Sequence, residues 1–245
     1  MMNIGLLRLS RFLYRSLEAK ELNSFYAFLI PKQDRVFLLK WVEFKSWSGS
    51  SSQLGQEFLP FFYGHELGYF CEVGANDGLR FSNTFFLESM GWNGVLIEPD
   101  PRNLKSLMES RSVRILPCAA TNEDNVEIAF SLARDTLYSG ISTHGLQKES
   151  RRAEDIAHVL GFKLVTMLEK VSAPKFIDFM SIDTEGNEFE VLLGMDFNQY
   201  KVAILCVEHN YDYKKLKKIR SFLHPYGYRQ VLKSASQFDA WFIRC

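Results

Sequence analysis

The chain changes its pattern of apolar and polar positions near residue 50. Residues 4–45 repeat apolar positions at helical spacing, with an interruption at Pro31, and the Ser/Gly-rich stretch SWSGSSSQLGQ follows. Small polar residues and glycine between periodic segments are typical of linkers. The pattern therefore predicts an N-terminal helical extension and linker over residues 1–50 and a separate domain over residues 51–245.

Short apolar runs alternate with amphipathic stretches in the second part of the chain. Runs this apolar favour strands that are covered on both faces, and hence a parallel sheet. The predicted strands are 69–73, 94–98, 113–119, 176–183 and 202–208, and the predicted crossover helices are 81–91, 101–111, 185–199 and 212–224. The segments YRQVLKS and DAWFIRC predict a terminal antiparallel hairpin. The fold class is therefore α/β with a doubly wound sheet.

Residues 121–165 break this alternation. The segment SLARDTLYSGISTHGLQKESRR is too polar and too irregular to form core, so we expect a long connection. A connection of this length in a compact domain is often a lid or a binding loop. His144 lies in this segment and is a candidate to reach a functional site from such a lid.

Composition excludes some classes of protein. Lys and Arg number 29, as do Asp and Glu, so no overall field attracts nucleic acid or anionic lipid, and we expect no nucleic-acid partner. No apolar run approaches the roughly 20 residues that span a bilayer. The cysteines lack metal-site spacing and three lie in apolar runs, which favours reduced thiols and a cytoplasmic protein. They are Cys71, Cys118, Cys206 and Cys245.

The first residues form an amphipathic pattern. The stretch LLRLSRFLYRSL places Arg8, Arg11 and Arg15 on one side of a helix and apolar residues on another. Two interpretations remain open: contact with a membrane surface, or a helix packed on the domain. The packed helix is favoured. The oligomeric state cannot be predicted from these patterns.

The stretch EVGANDG follows the first predicted strand. In doubly wound sheets, ligands bind beyond the carboxyl ends of the strands, where the strand order reverses. Gly74 and Gly78 leave the backbone open to close approach. Their Gly-x-x-x-Gly spacing, with Glu72 before it and Asn76 within it, differs from the phosphate-binding GxGxxG turn. An acid-flanked turn fits a ligand with an ammonium or sulfonium charge and no phosphate.

Glu98 ends the second predicted strand, about 20 residues beyond the turn, where a carboxylate accepts hydrogen bonds from ribose hydroxyls. Pro99 ends that strand, and Ala119 follows the third strand among small residues that suit a flat adenine. Together these features predict a pocket for a positively charged adenosine, the shape of S-adenosylmethionine. Two alternatives stay open: Glu72 in a fold-stabilising hydrogen bond, and Asp77 and Asn76 as caps of the next helix.

Several stretches of the chain resemble the FkbM family of S-adenosylmethionine-dependent methyltransferases. They are SQLGQ, EVGANDG, SNTFFLE, GWNGVLIEPDP, DFMSIDTEGNEFEVLLGMDF and VEHN, in this order from Ser52 to the C-terminus. The resemblance implies a Rossmann-like methyltransferase fold, whose seven-stranded, mostly parallel sheet ends in an antiparallel strand. It also implies S-adenosyl-L-methionine as cofactor and mostly O-methylation, often of sugars and natural-product hydroxyls.

The resemblance also implies roles for residues of the turn. Glu72, Gly74, Asn76 and Gly78 correspond to the methionine-binding turn, and Glu98 corresponds to the acid that binds ribose. One departure from the methyltransferase pattern is the small, apolar PCAAT after the third strand, where a more polar residue often lies near adenine.

Methyl transfer to a hydroxyl requires groups that orient the acceptor oxygen and remove its proton. The fourth and fifth predicted strands deliver IDTEGNE and VEHN to the same edge of the sheet. We expect Asp183 and His209 to be the leading base or orienting pair, with Glu185 and Glu208 as alternates; Asp183 is also a candidate cofactor contact. The alternatives are that Asp183 caps the following helix and that His209 bonds backbone.

A divalent metal is a less favoured alternative. Asp183, Glu208, His209 and Asn210 gather oxygen and nitrogen ligands at two strand ends, but their spacing is no recognised metal signature. Two other classes remain: an NAD-type oxidoreductase, which would need GxGxxG, and an inactive methyltransferase fold that serves as a scaffold. We therefore expect an O-methyltransferase that acts on a small-molecule or glycan hydroxyl.

Overall fold

The computed structural model describes residues 31–48, 52–141 and 153–245. The N-terminal stretch with Arg8, Arg11 and Arg15 lies outside the described residues, and so does His144. Within the described ranges, no helix combines the length and the apolar character needed to cross a membrane.

The described strands form two sheets. In chain order they are β1 (Tyr69–Val73), β2 (Asn93–Ile97), β3 (Arg114–Leu116), β4 (Ala119–Thr121), β5 (Val126–Ala133), β6 (Gly140–Ile141), β7 (Ala153–Lys163), β8 (Phe176–Ile182), β9 (Lys201–Glu208), β10 (Tyr228–Val231) and β11 (Asp239–Arg244). The main sheet has seven strands in the order β10-β11-β9-β8-β1-β2-β3. The strand order reverses between β1 and β8, which is where a doubly wound sheet binds its ligands.

The main sheet confirms the predicted fold class. Strands β1, β2, β3, β8 and β9 pair in parallel, and β11 pairs antiparallel with β9 and with β10. The predicted terminal hairpin is present, but its second strand, β11, lies between β9 and β10 instead of at the edge. The resulting sheet is the Rossmann-like methyltransferase arrangement that the resemblance implied.

Helices cover both faces of the main sheet. They are α1 (Lys32–Ser48), α2 (Leu59–Phe62), α3 (Phe85–Ser89), α4 (Leu104–Ser110), α5 (Leu164–Lys170), α6 (Glu188–Leu193) and α7 (Tyr213–Leu223). Alternate side chains of the strands point to opposite faces, so Phe70 and Leu96 lie in the core with α1 to α4, while Val73 and Ile97 lie in the core with α5 to α7. Each strand is therefore apolar along its length, as the sequence predicted.

Helix α1 packs against the main sheet. Its Phe37 and Trp41 are buried, and the Phe37 ring lies 5.3 Å from that of Trp241 on β11. Leu54, in the segment read as a linker, is buried in the same core. Helix α1 and the sheet thus share one core, and the boundary between residues 50 and 51 stays a prediction.

The second sheet corrects the expectation of an irregular connection over residues 121–165. It has four strands in the order β4-β7-β5-β6, and the antiparallel pair of β5 and β7 runs from Val126↔Gly161 to Ala133↔Ala153. Much of the outer half of this pair is partly or fully exposed, so its alternating pattern carried fewer apolar positions than the buried strands did. Helix α5 after β7 was also not predicted.

Candidate active site

Gly74 joins the carboxyl ends of three strands. Its φ is 86°, and a Cβ on this residue would lie 1.7 Å from the carbonyl oxygen of Asp183, so no side chain fits. Its amide donates to the Ile97 carbonyl at 2.9 Å, and the Asp183 amide donates to the Val73 carbonyl at 3.0 Å. The glycine therefore lets β1, β2 and β8 converge on one point.

Gly78 faces helix α4 instead of a ligand cavity. Its φ is 81°, and a Cβ there would lie 2.6 Å from Leu107 Cδ1 and 2.9 Å from Arg111 Cγ. Next to it, Asp77 Oδ1 accepts hydrogen bonds from the amides of Leu79 and Arg80. Gly78 thus allows the turn to pack on α4, and it lines neither of the two cavities described below.

Glu98 lies buried directly after β2. Its carboxylate accepts hydrogen bonds from the amide of Asn76 at 2.7 Å and from the amide of Asp100 at 2.8 Å. Burial nevertheless raises the pKa of this carboxyl to about 7, because desolvation outweighs the two backbone hydrogen bonds. The carboxylate borders a cavity, and a ligand hydroxyl in that cavity could donate a further hydrogen bond to it.

The smaller of two adjoining cavities lies beyond β1, β2 and β4. Its walls are mainly apolar and include Ile97, Pro99, Ala119, Ala120, Phe130 and Ile141. Polar groups from Asn76, Glu98, Asp183 and Glu185 also line it. The structure therefore brings Gly74, Glu98, Pro99 and Ala119 together around this one cavity.

A short segment after β5, residues 135–139, lines this cavity. Thr136 Oγ1 donates to Asn76 Oδ1 at 2.8 Å, Arg80 forms two hydrogen bonds with Asp135 at 3.1 and 2.9 Å, and Arg102 donates to Ser139 Oγ at 3.0 Å. The segment belongs to the region that we expected to be a lid. The sequence analysis missed the hydrogen bonds that hold this segment, because Arg80 and Asp135 are 55 residues apart and no local pattern pairs them.

The larger cavity shares a wall with the smaller one, formed by Val73, Gly74, Asn76, Leu137, Asp183 and Glu185. It is more polar and also has aromatic side chains in its lining. These further lining residues include Glu72, Arg80, Phe81, Asn83, Tyr138, Ser181, Glu208, Asn210 and Phe238. A polar ligand with hydroxyl groups suits such a lining.

Three carboxylates meet at the base of the larger cavity, and we call them the carboxylate cluster: Asp183, Glu188 and Glu208. Their ligand oxygens lie within 4.8 Å of one another. Desolvation raises the pKa of Asp183 and that of Glu208, and the neighbouring acids raise both further. Glu208 Oε2 is buried without a hydrogen-bond donor among the described residues.

Glu188 is the member of this cluster that the sequence analysis missed. Its Oε1 accepts hydrogen bonds from the amides of Thr184 at 3.1 Å and Gly186 at 2.9 Å, and its other oxygen contacts Lys215 Nζ. The signal was an acid in the first turn of a helix, which reaches back to free amides. These two amides donate to Glu188, so Asp183 does not cap the helix through them, which was its alternative role.

His209 lines neither cavity, and its pairing with Asp183 stays a prediction. Its Nε2 lies 3.1 Å from the carbonyl oxygen of Asp239, and the residue is 3% exposed. Because a carbonyl oxygen only accepts, Nε2 carries the proton, and burial lowers the pKa of the imidazole. These contacts are those of the backbone-bonding alternative.

Glu72 is held by the chain itself. Its carboxylate accepts hydrogen bonds from Asn83 N at 2.7 Å, from Thr84 Oγ1 at 2.5 Å and from Ser82 Oγ at 3.0 Å. Arg111 Nη1 lies 3.7 Å from the same carboxylate. This is the fold-stabilising alternative, although Glu72 also borders the larger cavity, and contact with a ligand stays a prediction.

Comparisons with known proteins agree with this fold. A family model described as "Methyltransferase FkbM domain" matches residues 72–230. A methyltransferase FkbM from Methylobacillus flagellatus KT is similar in structure, with a TM-score of 0.50 and 12% identity over 98% of this chain and 59% of that protein. The chain thus spans less than two thirds of the length of the Methylobacillus protein.

Two further solved structures are similar at lower scores. The methyltransferase domain of METTL16 has a TM-score of 0.45 and 10% identity over 98% of this chain and 90% of that one. A precorrin-6y C5,15-methyltransferase from Geobacter metallireducens GS-15 has a TM-score of 0.40 and 11% identity over 71% of each chain. No curated protein matches the chain.

Proposed function

The chain belongs to the FkbM methyltransferase family, and on that premise we propose that it transfers a methyl group from S-adenosylmethionine to a hydroxyl of a saccharide or a similar polar natural product. One observation carries the proposal: two cavities of different character share a wall at Gly74, Asn76 and Asp183. The mainly apolar cavity suits an adenosine, and the polar cavity suits a hydroxylated acceptor. A reaction between two ligands needs this adjacency.

The residues around the smaller cavity fit S-adenosylmethionine. Asn76 Nδ2 is buried without an acceptor among the described residues, and Glu98 presents a carboxylate at the cavity wall. Glu98 would hold the ribose hydroxyls, and Asn76 would donate to a carboxylate or carbonyl oxygen of the ligand. Pro99, Ala119 and Ala120 would lie against the adenine.

S-adenosylmethionine supplies a methyl group bound to a positively charged sulfur, which is a good leaving group. The chain must bind both ligands, exclude water and accept a proton from the acceptor hydroxyl. Asp183 lines both cavities, so its carboxylate is our candidate to orient that hydroxyl and take its proton. Glu208 and Glu185 border the same space and are the alternates.

The charge of the larger cavity supports a neutral, hydroxylated acceptor. Four of its lining residues are acids, namely Glu72, Asp183, Glu185 and Glu208. The cation in the lining is Arg80, which is already paired with Asp135. An acidic acceptor would be repelled here, whereas sugar hydroxyls donate to carboxylates.

Calorimetric titration with S-adenosylhomocysteine and with NADH tests the cofactor part of the proposal. We expect S-adenosylhomocysteine to bind and NADH not to bind. Binding of neither ligand would favour an inactive scaffold. Mass spectrometry of candidate glycans after incubation with methyl-labelled S-adenosylmethionine then tests the acceptor, and transfer to nitrogen or carbon alone would overturn the assignment of oxygen.

A further inference from the structure

An unpartnered acid lies at the base of the larger cavity. Glu208 is 5% exposed, and its Oε2 has no hydrogen-bond donor among the described residues. A buried carboxylate oxygen without a donor is unfavourable, because the charge has lost its water and gained nothing in return. Its position within 4.8 Å of ligand oxygens of Asp183 and Glu188 adds repulsion to this cost.

Few positive charges in the described structure offset this group. Lys215 from α7 contacts Glu188 at the edge of the carboxylate cluster. Asp239, which pairs with Glu208 across β11 and β9, adds another acid whose charge acts on Asp183 and Glu208. Among the described residues, these four carboxyl groups therefore have one ammonium group beside them, and two of the four, Asp183 and Glu208, line the larger cavity.

We propose that Asp183 and Glu208 bind a divalent cation of the hard, oxygen-preferring class, such as Mg²⁺ or Mn²⁺, with Glu188 adding charge at the edge of the site. The ligand atoms are all carboxylate oxygens, which such cations prefer. Glu188 already serves two backbone amides and Lys215, so it is not a primary ligand. Mg²⁺ commonly takes one or two carboxylates and completes its shell with water and substrate oxygens, for which the open cavity leaves room.

The cation site adds a candidate catalytic group to the proposed function. The role of the cation in catalysis rests on the proposed function. A cation here would contact an acceptor oxygen in the larger cavity and favour loss of its proton. Asp183 would then orient the acceptor through the cation. Binding of the cation itself depends on neither cofactor nor acceptor.

The site is tested by titrating the metal-free protein with MnCl₂ alone. Electron paramagnetic resonance measures the concentration of free Mn²⁺ at each step of the titration. We expect the wild type to bind one tight Mn²⁺ and Glu208→Gln to bind it at least about tenfold more weakly, since loss of even an indirect contact costs this much. Glu109→Gln removes an exposed acid of α4 that lines neither cavity and is the control; it should change the affinity by less than about threefold. Failure of the wild type to bind, or equal binding by Glu208→Gln, overturns the proposal.

Thermal unfolding shows that the variant is folded. Without metal, Glu208→Gln should unfold at or above the wild-type temperature, because it removes like-charge repulsion. Added Mn²⁺ should raise the unfolding temperature of the wild type and of Glu109→Gln, but not that of Glu208→Gln. An equal rise in Glu208→Gln would place the cation elsewhere and overturn the assignment.

The two proposals fail separately. Mn²⁺ binding without any binding of S-adenosylhomocysteine would support the cation site and reject the proposed cofactor. S-adenosylhomocysteine binding in EDTA, together with no Mn²⁺ binding by the wild type, would support the cofactor and reject the cation site.

Discussion

The described structure contains two groups of buried or partly buried acids that differ in their partners. In the first, which we call the Arg111 network, Glu72 and Glu88 surround the fully buried Arg111 side chain, which donates to Glu88 Oε2 at 2.5 Å and to Thr84 Oγ1 at 2.8 Å. In the second, the carboxylate cluster, three acids face one another and Lys215 touches one of them. Burial alone therefore does not tell what an acid does; its partners do.

The difference separates structure from binding. Acids with complete hydrogen bonds and a paired charge hold the glycine turn against α4, and they have no strong need of a ligand. Acids that lack donors raise the energy of the folded chain and are expected where a ligand supplies the missing contacts. The following predictions test this distinction, beginning with the largest effect.

Arg111→Met should destabilise the fold most. It leaves Glu72 and Glu88 buried without their cation, and removing one partner of a buried pair costs about 3–5 kcal/mol. The free energy of unfolding in urea measures the loss. Lys105→Met, which changes an exposed cation of the adjoining helix α4, is the control and should stay close to wild type. Equal stability of the two variants would mean that the Arg111 network does not hold the turn.

Asp183→Asn should change activity and not stability. It removes a charge from the carboxylate cluster, so the free energy of unfolding should stay equal or rise, whereas turnover should fall by about 100-fold or more if the carboxylate takes the proton of the acceptor. Affinity for S-adenosylhomocysteine should change little. Asp196→Asn, which removes an exposed acid that caps a turn, is the control for activity.

A destabilised Asp183→Asn with normal turnover would reverse the comparison. In that case the carboxylate cluster, like the Arg111 network, would be structural, and the acceptor would have to be oriented by other groups of the larger cavity.

The sequence was informative where the chemistry is local. The strands flanking the glycine turn are apolar on both faces, so β1, β2, β8 and β9 were predicted to within one residue at each end. Gly74 and Glu98 were found because a turn and a strand end lie at characteristic spacing. Both of these residues lie at the smaller cavity.

The rest depended on contacts between distant segments. The pairing of β5 with β7 has one exposed face, so its apolar signal was weak, and the partners of Arg111 come from residues 23 or more positions earlier in the chain. The same limit hid the roles of Glu72 and His209. Residue type placed each at a strand end, but only the folded chain shows that Glu72 meets its own turn and that His209 meets β11.

Glu98→Gln should weaken the binding of S-adenosylhomocysteine by about 1–3 kcal/mol, because the ionised carboxylate is the stronger acceptor for a diol. The wild-type affinity should also depend on pH. Burial raises the pKa of Glu98 to about 7, so ionisation, and with it affinity, should rise by about tenfold between pH 6 and pH 8.

Calorimetry across this pH range measures both effects, and Glu98→Gln is its own control. The amide does not titrate, so the part of the pH dependence that is due to Glu98 should disappear in the variant. An identical pH profile in both proteins would show that Glu98 does not contact the ligand and belongs with the structural acids.

His209→Gln should have the smallest effect. The imidazole Nε2 donates to the Asp239 carbonyl away from both cavities, so loss of the ring should cost stability by no more than about 0.5–1.5 kcal/mol, the usual value of one hydrogen bond. A glutamine amide retains a donor for that carbonyl, whereas His209→Leu does not and should be the less stable of the two. Turnover and its pH profile should match wild type in both variants, because His209 lines neither cavity. A hundredfold loss of turnover in His209→Gln would instead return this histidine to the site.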